Sequence, residues 1–342
     1  MPTTSNPAWS QRLTPRPVKG SIDELLAGAT SREPWKTAES LSGSVLERVV
    51  IGGQPFVLKH LHVDDDWIQR VTGDVCCRPV VMWRAGLYGA LPDHLEHAIV
   101  DVAAGFGRNG WGGALLMRDL SPHFVPVESG SIPLDQHLRF LEHMSELHAA
   151  FWGFEDTVGL LPMGNRYRLL TPEMAASEAR RGDPDPVPGM VAGGWRRMAD
   201  ESPDLARIVL PLVGDPEPLA CTLERGPQTL VHSDWKAGNL GSLADGRTIL
   251  VDWAWPGRAP PTVDLAWYLA VNNELIPQTK EDTIDAYRSA LERRGIFTAS
   301  WWDSSLEVAL LGAAVQLGWS KTGAELDWWT QRVPRALRYL PD

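Results

Sequence analysis

Cysteine is scarce in this chain of 342 residues, and its spacing argues against the chemistry that cysteine usually supports. Only Cys76, Cys77 and Cys221 occur. The count is odd and two of the three are adjacent, which is poor geometry for a mutual disulfide. No pair has the spacing of a zinc site. A disulfide framework is therefore not expected, and a reducing cytoplasm is the expected compartment.

Positive charge and long apolar runs are also in short supply. Thirty-two Lys and Arg residues stand against 43 Asp and Glu, which gives a net charge of −11. A basic nucleic-acid surface is not expected, whereas a cationic or neutral small partner is compatible with this charge, and acidity alone also favours solubility. No run approaches the ~20 apolar residues of a membrane-spanning helix, and residues 1–20 lack a signal-peptide core. We expect a cytoplasmic protein that binds no nucleic acid and no membrane.

What the sequence does contain is, first, a stretch of short strands and helices. In order, it predicts a capped helix at Ser21–Gly28, a hairpin of Val45–Ile51 and Phe56–Leu61 around Gly52-Gly53, helical stretches across Asp65–Leu91, and a strand at Ala114–Met117. The sequence "HLHVDDD", residues 60–66, is dense in His and Asp, but we interpret it as a solvated loop and helix cap rather than a metal site. These patterns predict a small lobe of antiparallel strands plus helix.

After residue 118 the periodicity becomes mainly helical. The sequence predicts a long helix in "PLDQHLRFLEHMSELHAAFWG", a loop or a break between helices in "RRGDPDPVPGMVAGG", a helix at Val263–Val271, and three helical segments after Glu281. Gly295 is expected to end the first of these three. Residues 119–342 are therefore predicted to form a larger, helical lobe, and residues 1–40 an N-terminal extension with one short helix.

The stretch "LVHSDWKAGNLGSLADGRTILVDWAWPG", residues 230–257, concentrates polar residues between two apolar runs. Asp234 ends the first run, Asn239 follows five residues later, and Asp252 ends the second run at Thr248–Val251. With Asp245-Gly246 as the turn, a hairpin of the two runs would bring these three side chains to one mouth. Phosphoryl transfer needs a carboxylate beside the acceptor hydroxyl and hard oxygen ligands for Mg²⁺. The stretch supplies both.

The ordered set His232-x-Asp234-x-x-x-x-Asn239, then Asp252, then Asp264-Leu265-Ala266, resembles the aminoglycoside phosphotransferase and choline kinase-like family. "FVLKHL", "LLMRDLS" and "ELHAAFW" resemble further segments of that family, so the resemblance covers roughly residues 41–270 in order. It implies an α+β, bilobal protein-kinase-like fold, with a nucleotide-binding N-lobe at 41–118 and a C-lobe at 119–342. The C-terminal helices resemble the family only in kind.

The resemblance also implies roles for particular residues. Asp234 would be the catalytic carboxylate and Lys59 would reach the nucleotide phosphates. Asn239 and Asp252 would hold Mg²⁺, and His232 and Asp264 would support the catalytic loop. The resemblance implies two further contacts to the nucleotide. A loop at Leu41–Val45, which contains Gly43, would cover the phosphates, and the backbone of Met117, Arg118 and Asp119 would bind the adenine or guanine base. His148, in an apolar helix, is interpreted as a satisfied core histidine.

Two positions depart from the family pattern. The lysine of the small lobe normally pairs with a glutamate, but "GDVCCRPVVMWRAGLYGAL" contains none. Asp74 is the nearest acid and could substitute for it with a shorter reach. Lys236 occupies a position that is commonly histidine in this family. A lysine two residues after the catalytic aspartate is instead the protein-kinase arrangement, in which it neutralises charge on the transferred phosphoryl group. Lys236 would do the same here, or it would be a surface lysine.

The sequence thus predicts an enzyme that transfers the γ-phosphate of ATP or GTP to a hydroxyl of a small molecule, such as an aminoglycoside, an amino sugar or a choline-like alcohol. A protein kinase is disfavoured, because Asp264 follows Asp252 by only twelve residues and leaves little room for a peptide-docking segment. Two alternatives stay open: a catalytically impaired, nucleotide-binding pseudokinase, and an interaction protein that uses its 16 tryptophans. The sequence leaves the acceptor and the oligomeric state undetermined.

Overall fold

The structure is a computed structural model that describes residues 9–36, 43–107, 110–126, 130–182 and 186–341. Its elements confirm the predicted α+β class, with a small antiparallel sheet and a larger helical part. By compactness the chain divides into two units. The sheet unit comprises Met1–Val125, Thr157–Gly159 and Gly238–Ala254, and the helical unit comprises the remaining three segments.

A five-stranded antiparallel sheet forms the framework of the sheet unit, in the order β1-β2-β3-β6-β5. Its strands are β1 (Ala29–Trp35), β2 (Leu46–Ile51), β3 (Gln54–Leu61), β5 (Ile99–Gly107) and β6 (Gly110–Arg118). The predicted hairpin is confirmed, because β2 and β3 pair in antiparallel fashion on either side of Gly52 and Gly53. Both glycines have positive φ, at 58° and 77°, as a tight two-residue turn requires. β1 and β5 were not predicted.

The short helix α1 (Ile22–Leu25) covers one face of this sheet. Ser21 Oγ accepts a hydrogen bond from the Glu24 amide, and Glu24 Oε2 accepts one from the Gly20 amide, so the predicted cap is present. Leu25 packs with the fully buried Val49 and Leu58 of the sheet. Each such buried side chain stabilises the fold by about 1.5–3 kcal/mol.

Helices α2 (Trp67–Thr72) and α3 (Arg78–Ala85) follow β3, as the helical pattern across Asp65–Leu91 predicts. The N-terminal segment runs along this part of the unit. The Lys19 amide donates to Val102 O at 2.9 Å, and a Cβ at Gly86 would lie 2.3 Å from the Thr14 carbonyl oxygen. The close approach of this segment therefore requires glycine at position 86.

A second, three-stranded sheet contains the later part of the sheet unit. β9 (Thr248–Leu250) pairs with β8 (Leu240–Ser242) in antiparallel fashion and with β4 (Leu95–Glu96) in parallel fashion. The hairpin predicted between the run ending at Asp234 and the run ending at Asp252 is therefore wrong. β7 (Thr229–Val231) instead pairs with β10 (Gly257–Ala259) in the helical unit. Asp245 and Gly246 do form a turn, but it joins β8 to β9.

The helical unit consists mainly of ten helices among its described residues. They are α4 (Leu134–Ala150), α5 (Met163–Arg166), α6 (Pro172–Arg181), α7 (Pro186–Glu201), α8 (Pro203–Gly214), α9 (Glu217–Glu224), α10 (Thr262–Val271), α11 (Lys280–Arg293), α12 (Trp302–Leu317) and α13 (Gly323–Arg332). The predicted helix at Val263–Val271, the three after Glu281 and the stop at Gly295 are confirmed. Helices α10 and α12 are buried along almost their whole length and form the core.

The Pro/Gly-rich stretch "RRGDPDPVPGMVAGG" is only partly a break. Helix α6 ends at Arg181 with Gly182 in the left-handed region, as a helix stop requires. The predicted loop does not continue, because α7 begins at Pro186, where proline needs no amide partner in a first helical turn. Residues 183–185 lie outside the described residues. In the part of the chain that the structure describes, no helix is both long and apolar enough to cross a membrane.

Candidate active site

An ion pair links two candidate residues of the sheet unit that lie 193 residues apart in the chain. Lys59 Nζ, on β3, lies 2.6 Å from Asp252 Oδ1, just after β9. The side chains are 12% and 32% exposed, so solvent reaches the carboxylate. Because the pair is partly exposed to solvent, a ligand can reach its charged groups.

Asp252 also has an unusual backbone. Its φ is 62°, in the left-handed region, where aspartate is tolerated better than most residues. Such conformations cost on the order of 1–3 kcal/mol and concentrate at functional sites. The backbone therefore holds the Asp252 carboxylate in a particular direction at the end of β9.

Asn239 stands beside this position. It directly precedes β8, as Asp252 closely follows β9, and the antiparallel pair Leu240–Leu250 brings these strand ends together. The Val251 amide donates to Asn239 O at 3.1 Å. Asn239 and Asp252, the two predicted metal ligands, thus occur at the same end of one hairpin. A carboxylate and an amide oxygen suit Mg²⁺, which binds proteins through few ligands and keeps water and phosphate oxygens.

Asp66 is a second carboxylate near Lys59 that the sequence prediction missed. It caps α2, accepting from the Ile68 amide at 2.8 Å, and it accepts from Ser44 Oγ at 2.6 Å. The expected helix cap is present, but Asp66 is only 3% exposed, so the solvated setting expected for "HLHVDDD" is wrong at this residue. Burial raises the pKa of Asp66, while the charge of Lys59 opposes that rise.

Asp74, the nearest acid in the stretch without glutamate, binds the backbone at the start of α3. Both of its carboxylate oxygens accept from the Arg78 amide, at 3.0 and 2.9 Å, at the first turn of α3. Burial raises the pKa of Asp74, and the charge of Arg78 lowers it. Asp66 and Asp252 both act electrostatically on Lys59. Asp66 was recognisable from the sequence only as a cap ahead of "WIQRV".

The remaining predicted nucleotide contacts also fall in the sheet unit. Gly43 has a φ of 81°, whereas Leu41 and Ser42 of the predicted phosphate-covering loop lie outside the described residues. Met117 and Arg118 end β6, and the Arg118 amide donates to Ala98 O at 2.9 Å. The Asp119 carboxylate accepts from the Ser121 amide. Base binding at this segment stays a prediction.

In the helical unit, the carboxylate of Asp234 has a separate partner at each oxygen. Trp267 Nε1, on α10, donates to Asp234 Oδ1 at 3.1 Å. Lys236 Nζ lies 3.1 Å from Asp234 Oδ2, and its side chain is 34% exposed. Asp234 itself is 4% exposed. The contacts of its carboxylate therefore include a buried donor and a cation that solvent can reach.

Asp264 supports the loop that carries Asp234. Its carboxylate accepts from the amides of His232 and Ser233, at 2.8 and 2.7 Å, and lies 3.2 Å from His148 Nε2. Burial raises the pKa of Asp264, but the hydrogen bond from His148 and the nearby positive charges bring it below its usual value. The group is therefore ionised although it is fully buried. Ser233 has a φ of 74°, so the loop is held in a strained conformation.

His148 completes this network from α4. Because the ionised Asp264 can only accept, His148 donates to it from Nε2, and the Tyr287 hydroxyl lies 2.5 Å from His148 Nδ1. Every ring nitrogen is used and the residue is fully buried, in agreement with its interpretation as a satisfied core histidine. His232, also fully buried, accepts from the Asp234 amide at Nδ1, 3.2 Å away.

Two further residues that the sequence did not indicate fix this loop. The Asn272 amide group accepts from the Ala237 amide at 2.7 Å and donates to the Trp235 carbonyl. Arg166, buried on α5, donates to the Ser233 carbonyl at 3.1 Å. Trp267 follows Asp264 by three residues on one helical face, and that spacing is a signal the sequence did offer.

The sheet unit thus holds a lysine, two carboxylates and a hairpin end whose oxygens suit a divalent cation. The helical unit holds the Asp234 carboxylate in a loop that Asp264 supports.

Comparisons with known proteins complete the description. No family model matches the chain, and no curated protein matches its sequence. Similar solved structures include choline kinase LicA from Streptococcus pneumoniae (14% identical, covering 93% of this chain and 95% of that one, TM-score 0.46) and a microcompartment-associated aminopropanol kinase (14%, 94% and 92%, 0.49). A third is aminoglycoside phosphotransferase APH(3'')-Id from Streptomyces rimosus with ADP and streptomycin (17%, 81% and 94%, 0.48).

These proteins carry the names of the family that the sequence motifs resemble. Their identities and TM-scores are too low for a function to be carried across to this chain. The functional conclusion therefore has to come from the contacts of its own residues.

Proposed function

We propose that this chain is a small-molecule kinase that transfers the γ-phosphate of ATP or GTP to a hydroxyl group. The contact between Lys59 and Asp252 is the observation that carries the proposal. A lysine on one strand and a carboxylate after a distant strand form a partly open pair, at a residue whose backbone is strained. A purely structural ion pair needs neither the strain nor the exposure.

The charges in this region fit a phosphate and a divalent cation together. Lys59, Asp66 and Asp252 sum to one negative charge when both acids are ionised. Asp252 and Asn239 would hold Mg²⁺, which when bound supplies charge neutralisation for the phosphates. Lys59 would then exchange its contact with Asp252 for phosphate oxygens. Gly43 and the segment Met117–Asp119 are the proposed contacts to the rest of the nucleotide.

Asp234 would bind the hydroxyl group of the acceptor and receive its proton. In the transfer the hydroxyl oxygen forms a bond to the γ-phosphorus, the bond from that phosphorus to the bridging oxygen breaks, and the hydroxyl proton passes to the Asp234 carboxylate. The nucleoside diphosphate leaves. Lys236, next to that carboxylate, would neutralise charge on the transferred group. His232 and Asp264 would act by holding the loop.

The acceptor is a small hydroxylated molecule, and the net charge of −11 favours a neutral or cationic one. We place the protein in the cytoplasm, with no nucleic acid and no membrane among its partners.

The test is nucleoside diphosphate release by the purified chain with Mg-ATP across aminoglycosides, amino sugars, choline-like alcohols and macrolides. Asp234→Asn is the blank, since it keeps the shape of the side chain and removes the charge that accepts the proton. We expect one acceptor class to stimulate release by at least about 10²-fold over this blank, the scale of acid–base catalysis. Isothermal titration should give both proteins the same Mg-ATP affinity.

Two results would count against the proposal. Nucleotide binding with silence across all acceptors favours the pseudokinase. Absence of any Mg-ATP binding removes the nucleotide from the function altogether and leaves the interaction protein.

A further inference from the structure

Trp267 is a buried residue of a core helix, and its side chain also forms a hydrogen bond with Asp234. It lies on α10, is 3% exposed, and donates its indole N–H to Asp234 Oδ1 at 3.1 Å. Lys236 lies at the other oxygen, Oδ2, at the same distance. The two carboxylate oxygens are therefore not equivalent. Oδ1 faces a rigid, neutral donor, and Oδ2 faces a flexible cation that solvent reaches.

The indole ring is held on two sides. Trp255 packs edge-on against it with ring centroids 5.1 Å apart. The Arg166 guanidinium lies 5.5 Å from the ring centroid, and the same guanidinium donates to the Ser233 carbonyl one residue before Asp234. The position of the indole N–H is therefore fixed relative to the backbone that carries the carboxylate.

Helix α10 adds a second constraint. Asp264, three residues before Trp267 on the same face, binds the amides of His232 and Ser233. One helix thus holds the backbone of the loop with Asp264 and its carboxylate with Trp267. The terminal torsion of an aspartate is broad and roughly two-fold. A fixed donor at Oδ1 therefore opposes the rotation that would exchange the two oxygens.

We propose that Trp267 is a positioning residue that holds Oδ1 of Asp234, so that Oδ2 is the oxygen that receives the proton of the acceptor hydroxyl. Lys236, the present neighbour of Oδ2, moves to the transferred phosphoryl group when substrates bind. The inference rests on the proposed kinase function for its catalytic meaning. The hydrogen bond itself is independent of that function.

The first experiment measures the hydrogen bond without turnover. The protein is labelled with ¹⁵N-tryptophan, and the indole signal of Trp267 is identified as the one lost in Trp267→Phe. In Asp234→Ala, this signal is expected to move to higher field, because its N–H loses a carboxylate acceptor. Asp204→Ala, at an aspartate that is 77% exposed on α8, serves as the matched control and should leave the signal in place. A Trp267 signal that stays unmoved in Asp234→Ala overturns the inference.

The second experiment separates positioning from packing by kinetics, once an acceptor is known. Trp267→Phe keeps an aromatic ring but removes the N–H donor together with the second ring of the indole, so a control for the lost packing is needed. Trp267→Phe should lower kcat about 10–100-fold, the cost of a misplaced reacting group, and change the acceptor KM less than about threefold. Trp195→Phe is the control, since Trp195 is as buried as Trp267 and its indole nitrogen donates to the Leu170 carbonyl rather than to a carboxylate. Its kcat should stay within about twofold of the parent protein.

Equal losses of kcat in the two variants would assign the effect to packing and overturn the positioning role. If instead no acceptor is ever phosphorylated while the indole signal responds to Asp234→Ala, the kinase proposal fails and the hydrogen bond stands.

Discussion

The sheet unit and the helical unit hold their charged side chains in different ways. In the sheet unit, Lys59 and Asp252 form an ion pair that solvent reaches, at the end of a strand. In the helical unit, Asp264 is fully buried and accepts from two backbone amides and from His148. The difference separates two tasks. An open pair can exchange its partner for a ligand, whereas a buried and satisfied charge sets the geometry of a loop.

Replacing the buried charge should have the largest effect. Asp264→Asn removes the anion that three donors surround. The new amide NH₂ group would also point a donor at these donors, where an acceptor is required. Breaking a buried charged network costs about 3–5 kcal/mol, so we expect the free energy of unfolding to fall by that amount. Urea denaturation followed by circular dichroism measures it. The comparison partner is Asp252→Asn, which should change the same free energy by less than about 1 kcal/mol.

Similar losses in these two variants would break the distinction between the units. A loss confined to Asp264→Asn would support it.

Removing the open charge should instead act on ligand binding. Asp252→Ala deletes the proposed metal carboxylate and leaves Lys59 for the phosphates. We expect the gain in ATP affinity that Mg²⁺ provides to fall at least about 10–100-fold, because loss of even an outer-shell partner of a metal ligand has an effect of that size. Isothermal titration with and without Mg²⁺ measures this gain. Asp245→Ala, at an exposed turn of the same unit, should leave it unchanged, and an unchanged value in Asp252→Ala as well would take this residue out of the metal site.

Lys321 is a buried cation of the helical unit, and its titration gives a further test of the comparison between the units. Lys321 is 5% exposed, donates to the Ala270 carbonyl at the end of α10, and lies 3.8 Å from Glu325. Burial lowers the pKa of Lys321 to about 8, although Glu325 opposes the change. Between this value and the ordinary 10.5, the unfolded chain holds a proton that the folded chain has released. Stability therefore rises with pH across that window.

We expect the free energy of unfolding to rise by about 1–2 kcal/mol from pH 7.5 to 9.5, and this rise to disappear in Lys321→Met. Lys19→Met, at an exposed lysine of the sheet unit, should retain it. The same slope in all three proteins would show that the burial of Lys321 does not control the alkaline stability.

The contrast between the units also explains what the sequence could predict. Long periodic helices such as α4, α10 and α12 and the hairpin of β2 and β3 were predictable, because their apolar spacing or turn glycines are local. β1 reads "ATSREPW" and is mostly exposed, so it has no apolar alternation and depends on pairing with β2. The wrong hairpin arose because β7 and β10 have three residues each and pair across a distance that no local pattern records.

For the candidate site, the motif selected residues but did not indicate their neighbours. Asp252 and Asn239 were recognisable from their order in the chain. The acid near Lys59 was sought in the helix after it, at Asp74, because the family pattern places a glutamate there. Asp66 lies near Lys59 as a buried helix cap, and burial of a single polar residue leaves no periodic signal in the sequence.

The interleaved composition of the sheet unit bears on how the protein is made. This unit is complete only when Gly238–Ala254 joins Met1–Val125. At about 5–20 residues per second, roughly 130 further residues are synthesised in between, a delay on the order of ten seconds. During that interval β4 has no β9 beside it and Lys59 has no Asp252. A nascent chain therefore exposes an unfinished sheet edge to chaperones, and a chain cut after Val125 would stay in that state.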